Sequence, residues 1–217
     1  VRISPALTRV EACLVPAKPG PAPAAQRPLS TTLVALYAAM FAQAFAWGGG
    51  ISTLLPLYGG RGLDLSAEVV GRSMAIAFWV EVALLFPVGW AADATGKVRV
   101  LIPGFGAILL GALLAPASGG ALTYGAAFVL FTAGMSVWML VPALLREHLG
   151  GDFRGRAAGL YRLVTDLGFI LAPAVVGWLI GRSGFLAGAL AIALVLALSI
   201  ALSLRFLTGA GRRTRAS

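Results

Sequence analysis

A single acidic residue, Glu81, lies near the middle of the second long apolar run of this chain. A carboxylate at the centre of a bilayer costs at least ~2.5 kcal/mol to insert, so its side chain should face protein or water. Four mostly small residues share its helical face at four-residue spacing: Ser73, Ala77, Leu85 and Gly89. A buried carboxyl group favours its neutral form and can bind and release a proton. We therefore predict that Glu81 is a proton-binding residue of a cavity, with a structural carboxyl group bonded to a neighbouring helix as the alternative.

Gln43 and Trp47 lie four residues apart in the first apolar run and therefore share a helical face. An indole ring offers a surface to cations, and an amide offers a hydrogen bond. We predict that both residues line a cavity and contact an uncharged or cationic solute. Trp138, in the fourth run, is expected to be a packing residue.

Arg162 and Asp166 also lie four residues apart, in the fifth apolar run, so their side chains can pair on one helix face. The pair stands toward one end of its run. Two interpretations remain open: a gate or brace between helices, and an ion pair that neutralises itself within one helix.

Several kinds of chemistry are excluded by residue types that are missing. The chain has one His and one Cys, which do not make a metal site of the usual kind. It has no phosphate-binding loop of the G-x-x-x-x-G-K-[ST] type and no Ser/His/Asp set. We therefore predict that it is not an enzyme and that it has no cofactor and no metal. The net charge of +9 comes from basic residues scattered in loops and tails, which argues against a nucleic-acid partner.

The composition requires a lipid bilayer as the solvent. The chain is 59% hydrophobic and 12% charged, with a mean hydropathy of +0.91, whereas a soluble domain is usually about a quarter charged. Six apolar runs have roughly the ~20 residues that a helix needs to cross the hydrocarbon core, and they lack the alternation of strands. They are Thr31–Tyr58, Ala67–Ala91, Val98–Pro116, Ala121–Leu145, Ala157–Ile180 and Phe185–Leu207. Gly48–Gly50 and Pro56 predict a break in the first helix.

The basic residues predict the orientation of these helices. Thirteen of the 17 Lys and Arg residues lie in or beside the two tails and the even-numbered loops, three lie on the opposite side of the membrane, and Arg162 lies inside the fifth run. The positive-inside rule then places both termini in the cytoplasm and the helices in the cytoplasmic (plasma) membrane. We divide the chain into a Pro/Arg-rich cytoplasmic tail or linker (1–30), a six-helix transmembrane domain (31–208) and a basic cytoplasmic tail (209–217).

The loop between the second and third runs reads GWAADATGKVR, residues 89–99. A tight turn of this kind between two membrane helices is rare by chance and suggests a transporter. The loop resembles a motif of the major facilitator superfamily: Gly, three residues, Asp, a base, any residue, Gly and two bases. Gly89, Asp93, Gly96 and Lys97 match that motif, while Arg99 stands one position late and the base after the Asp is missing.

Two further features carry the same resemblance. The segment RGRAAGLYRLVTDLGF, residues 154–169, resembles the entry to the eleventh helix of many bacterial members, and the six-span layout has both ends on one side. The resemblance implies the C-terminal half of the family fold, an all-α polytopic membrane protein whose six helices form two inverted three-helix repeats. Residues 1–30 then resemble the central linker of the family.

The resemblance also implies a function. Members are secondary transporters that move a small solute by alternating access, and we expect proton coupling through Glu81. The partners are the solute, protons, the lipid bilayer and a second six-helix half, which is either a missing N-terminal half or a second copy. The alternative is a truncated or non-transporting membrane remnant or scaffold that lacks such a half.

Overall fold

The computed structural model describes residues 31–149 and 156–213 of the chain. All the regular structure in these ranges is helical, and six helices are long and apolar enough to cross a membrane, which confirms the predicted fold class. The helices are α1 (Thr31–Gly62), α2 (Ala67–Thr95), α3 (Lys97–Ala117), α4 (Ala121–Leu149), α5 (Arg156–Ser183) and α6 (Phe185–Arg213). The predicted tail 1–30 lies outside the described residues, and α6 continues past the predicted boundary at 208.

The packing of the helices repeats itself. α1 packs against α5 and α6, while α4 packs against α2 and α3. α3 and α6 contact each other, as do α1 and α4. Exchanging the first three helices with the last three therefore maps the set of contacts onto itself. Because each repeat holds an odd number of alternating spans, the second repeat is inverted relative to the first, as expected for half of a transporter fold.

Glycine residues bring α3 and α4 into close contact. A Cβ atom added to Gly111 would lie 2.6 Å from the backbone nitrogen of Phe131, and one added to Gly134 would lie 2.5 Å from the carbonyl oxygen of Gly104. Small residues at such contacts let membrane helices pack backbone against backbone, where dispersion contacts replace the missing hydrophobic driving force. The rings of Phe105 and Phe131 are buried beside this contact.

The predicted break in α1 is not a break. The chain stays helical through Gly48–Gly50 and Pro56, with wider π-helical turns over Trp47–Leu54 and Tyr58–Gly62. The hydroxyl of Thr53 donates to the carbonyl oxygen of Gly48 at 3.0 Å within the first of these turns. A similar irregularity, a 3₁₀ segment, interrupts α4 at Ser136–Met139. Both irregular segments lie beside the cavity described next.

Candidate functional site

A cavity of about 230 Å³ lies between four helices. It is lined by Trp47 of α1, Glu81 of α2, Met135 and Trp138 of α4, and Phe169 of α5. Two residues that the sequence singled out separately, Glu81 and Trp47, therefore lie in one site. Glu81 is the only charged residue among the lining residues.

Three aromatic rings form most of the cavity wall. The rings of Trp47 and Phe169 meet edge to face, with centroids 5.3 Å apart and planes at 88°. Trp138 stacks on the same Phe169 at 5.8 Å and 27°. Phe169 thus joins the two indole rings into one continuous surface, in the geometries that aromatic quadrupoles favour. The expectation that Trp138 is only a packing residue was incomplete, because the ring packs on Phe169 and also lines the cavity.

Close contact between the α1 and α5 backbones holds these rings in place. A Cβ atom added to Gly168, the residue before Phe169, would lie 2.7 Å from the Cβ atom of Ala44. A Cβ atom added to Gly48, the residue after Trp47, would lie 3.0 Å from the carbonyl oxygen of Phe169. Glycine at both positions lets the two helices approach closely enough for the Trp47 and Phe169 rings to meet.

Glu81 is positioned from the opposite side of the cavity by a hydrogen bond between helices. The hydroxyl of Thr132 in α4 has three possible acceptors, and the carbonyl oxygen of Ala77 in α2, one turn before Glu81, is the nearest at 3.0 Å. The other two are the carbonyl oxygens of Phe128 and Val129 in α4 itself, each at 3.2 Å. Both Thr132 and Ala77 are fully buried. Thr132 is the positioning residue of this site that the sequence analysis missed, since a lone threonine in an apolar run gives no signal of its partner.

One oxygen atom of the Glu81 carboxyl group is left without a hydrogen-bond partner by the described residues. Its Oε2 atom is buried and has no hydrogen-bond partner among residues 31–149 and 156–213. A buried carboxylate oxygen without a partner carries a desolvation penalty, which is removed when the group is protonated or when water or a ligand in the cavity supplies the missing interaction. The site can therefore exchange a proton, a cation or a hydrogen-bond donor at one defined atom.

Gln43 lies deeper than the sequence predicted for a cavity residue. Its side chain is fully buried, it is not among the lining residues of the cavity, and neither polar atom of its amide has a partner within the described ranges. Two buried hydroxyl groups of α6, those of Ser199 and Ser203, likewise lack partners there. A role for Gln43 in contacting solute stays a prediction.

Arg162 and Asp166 form the predicted ion pair. The Nε atom of Arg162 lies 2.9 Å from Oδ2 of Asp166, within α5. The pair is partly exposed, with 74% and 38% of the two side chains accessible, so its net stabilisation is small. Asp166 stands one turn before Phe169, and its charge is already balanced by Arg162.

The second part of the family-like motif, Gly96, Lys97 and Arg99, lies where α2 ends and α3 begins. Gly96 has φ = 103°, a conformation that only glycine adopts readily, and it ends α2 and starts α3. Lys97 pairs with Glu147 at the end of α4, with Nζ 2.5 Å from Oε1. Arg99 donates to the carbonyl oxygen of Thr95 at 3.3 Å. The motif thus ties the α2–α3 turn to α4 within this chain.

The first two motif residues face away from this bundle. Asp93 is exposed, and a Cβ atom added to Gly89 would meet no atom within 4 Å. Gly89 and Asp93 lie one turn apart and so share a face of α2. This part of the motif is open, in contrast to Lys97.

Within residues 31–149 and 156–213 no group of three His, Cys, Asp or Glu side chains is placed to hold a metal ion. Glu81 stands in its cavity with aromatic and thioether neighbours, which do not supply the oxygen ligands of hard cations.

Comparison with known proteins agrees with the family resemblance of the sequence. The family model described as Major Facilitator Superfamily matches residues 36–217. The magnetosome protein MamH of Paramagnetospirillum magneticum is 29% identical over 147 residues, which are 62% of this chain and 34% of the relative. The matched region thus spans about a third of the length of that relative. With six membrane-spanning helices and a family match over most of its length, the chain is a multi-pass membrane protein that belongs to the major facilitator superfamily.

Proposed function

We propose that the chain is the six-helix half of a secondary transporter that moves a small solute by alternating access and couples this movement to protons through Glu81. Membership of a family of transmembrane transporters supports the general function. The observation that carries the proposal is the Glu81 carboxyl group in the cavity, with its buried oxygen atom unpartnered among the described residues.

The physical reason for coupling is the free energy of a buried charge. A cavity that changes the side to which it opens must pass through a state closed to water, and an unpaired carboxylate there costs at least ~2.5 kcal/mol. Protonation removes this charge, and so does pairing with a cation. The cavity can therefore change sides only when Glu81 is neutralised, which is the basis of coupled transport.

We further propose that a second six-helix half completes the cavity, either an N-terminal half or a second copy of this chain. In the most apolar stretch of each helix, 72% of α1 is buried in the bundle, but only 6% of α2 and 22% of α5. These two exposed helices carry Glu81 and Phe169. The open face at Gly89 and Asp93 also lies on α2.

The orientation proposed from the basic residues places the α2–α3 loop in the cytoplasm, with the helices in the plasma membrane. The loop end of the bundle carries Lys97, Arg99 and Arg146. Lys and Arg in short loops are retained on the cytoplasmic side.

Alternating access can be tested without knowing the solute, because Cys13 is the only cysteine of the chain. In a background in which Cys13 and any cysteine encoded elsewhere in the reading frame are replaced by Ser, Met135→Cys places a thiol in the cavity. Ala94→Cys, at the loop end of α2, and Leu122→Cys, 88% exposed at the opposite end, mark the two sides of the membrane. Each variant, expressed from its complete reading frame, is treated with a membrane-impermeant maleimide in right-side-out and in inverted vesicles.

The proposal expects the two markers to react from one side each, and the cavity thiol to react from both. A proton gradient should change the ratio of the two labelling rates for the cavity thiol, and Glu81→Gln, which keeps the shape of the side chain, should abolish that change. If the cavity thiol reacts from one side only, whatever the gradient, the chain does not alternate. The non-transporting scaffold would then be the better interpretation.

A further inference from the structure

The cavity combines one carboxyl group with a wall of three aromatic rings. Trp47, Trp138 and Phe169 present a joined surface, and Glu81 faces the same space. The negative faces of aromatic rings attract cations, and Trp does so most strongly. Weakly hydrated organic cations are favoured at such walls, since they lose less hydration than a metal ion or an ammonium ion when they enter an apolar site.

Within residues 31–149 and 156–213, no positive side chain lines the part of the cavity that this chain forms. From α1, α3 and α4, the helices that contact α2, the titratable groups lie near helix ends: Tyr37, Tyr58, Arg61, Lys97, Arg99, Tyr124, Arg146, Glu147 and His148. On α5 the charged residue closest in sequence to Phe169 is Asp166, which is paired with Arg162. The hydroxyl of Tyr124 donates to the carbonyl oxygen of Leu55. When Glu81 is ionised, the part of the cavity that the described residues form therefore carries one uncompensated negative charge.

Other classes of solute fit this lining poorly. An anion would meet the carboxylate of Glu81. A neutral polar solute would leave most of its hydrogen bonds unmade, because the lining offers only the carboxyl group and two indole N–H groups besides the Met135 thioether.

From this geometry we propose that the transported solute is a monovalent organic cation with an alkylated ammonium head group, and that it replaces the proton on Glu81 one for one. The inference rests on the proposed function and adds its substrate class. One proton leaves the carboxyl group as one cation arrives, so the cavity is neutral in both loaded states. The exchange moves a single charge in each direction and is electroneutral.

The test compares two probes of the same shape. Choline carries a trimethylammonium group, and 3,3-dimethyl-1-butanol is its uncharged carbon isostere. Binding to the purified protein, expressed from its complete reading frame, is measured by calorimetry at several pH values. We expect choline to bind at least tenfold more tightly than the isostere at high pH. We also expect each choline bound to release one proton in the pH range where Glu81 is protonated.

Matched variants test whether the residues that line the cavity determine choline binding. Glu81→Gln should remove the preference for choline over the isostere. Trp138→Leu should weaken choline binding about three- to thirty-fold, the loss expected for one cation–π contact. Trp79→Leu is the control, because Trp79 lies on the same helix as Glu81 but is 74% exposed and does not line the cavity. Its choline affinity should equal that of the unaltered protein.

The outcomes distinguish this inference from the proposed function. Equal affinity for choline and its isostere, tighter binding of the anionic analogue 3,3-dimethylbutanoate, or no choline binding at all would overturn the substrate class. If the cavity thiol at position 135 still reacts from both sides of the membrane, the transport function survives that result. One-sided labelling together with tight choline binding would instead keep the cation site and overturn transport.

Discussion

The contact between α1 and α5 at Gly168 makes a quantitative prediction. In the Gly168→Ala variant the new methyl carbon would lie 2.7 Å from the Cβ atom of Ala44 and 3.0 Å from the carbonyl oxygen of Phe41. Carbon atoms in contact normally stay about 3.5–4.0 Å apart. The α5 backbone must therefore retreat by roughly 1 Å from α1. This movement would widen the contact between Phe169 and Trp47, whose ring centroids are 5.3 Å apart.

The change in the free energy of unfolding of Gly168→Ala is the sum of two opposing terms. Overpacking a well-packed contact costs about 1–3 kcal/mol. Alanine, however, stabilises a helix by about 0.8–1.0 kcal/mol relative to glycine. Gly106→Ala is the matched control: Gly106 lies inside α3, and a Cβ atom added there meets no atom within 4 Å. The propensity term is common to both variants, so the difference between them isolates the overpacking term of about 1–3 kcal/mol.

Thermal unfolding of the purified variants, followed by circular dichroism in one detergent, measures this difference. For a chain of this size 1 kcal/mol corresponds to about 2–4 °C, so Gly168→Ala should melt several degrees below Gly106→Ala. Choline affinity should fall in Gly168→Ala and stay unchanged in Gly106→Ala. If the two variants melt together and bind choline equally, the α1 and α5 backbones do not meet as described, and the positioning of Phe169 by Gly168 is refuted.

Three further variants test the supports of the site. Thr132→Val keeps the side-chain shape but removes the hydrogen bond to Ala77. Melting curves should show that the free energy of unfolding falls by about 0.6 kcal/mol and by no more than ~1.7 kcal/mol. Lys97→Glu should slow the gradient-dependent labelling of the cavity thiol, and adding Glu147→Lys should restore it, because the exchanged charges can pair again; failure of this rescue would contradict the pairing. Gly96→Ala forces an alanine to φ = 103° and should cost about 1–3 kcal/mol of stability; an unchanged melting temperature would exclude that turn.

The helices themselves were predictable from the sequence. Run length and the lack of period-two alternation located six spans, and each agrees with a helix to within a few residues. The first span extends past Tyr58 to Gly62 because the chain continues through π-helical turns. The prediction of a break at Gly48–Gly50 was wrong, because these glycines are places where neighbouring helices pack closely against α1. A Cβ atom on Gly49 would lie 2.9 Å from a side-chain carbon of Val176. A glycine run in a sequence does not reveal whether the helix bends there or another helix packs closely against it.

The candidate site was predictable only in part. Glu81 and Trp47 were found because each is unusual where it stands, but that they share a cavity depends on how four helices pack. Phe169 and Trp138 give no such signal, since aromatic residues are common in apolar runs. Gln43 shares a face with Trp47, yet residues four apart differ by about 40° around a helix. That rotation is enough to bury Gln43 completely while Trp47 stays 38% exposed at the cavity.

The repeat symmetry explains why Glu81 is the residue expected to couple. α2 and α5 are equivalent helices of the two repeats, and among the described residues they carry the carboxyl groups that lie well inside the spans, Glu81 and Asp166. Asp166 is neutralised within its own helix by Arg162, whereas Glu81 has an oxygen atom with no partner there. The two repeats therefore differ by one charge at corresponding helices. If Glu81 binds a proton and a cation in turn as proposed, only that charge changes, so the proposed exchange needs no second titrating group.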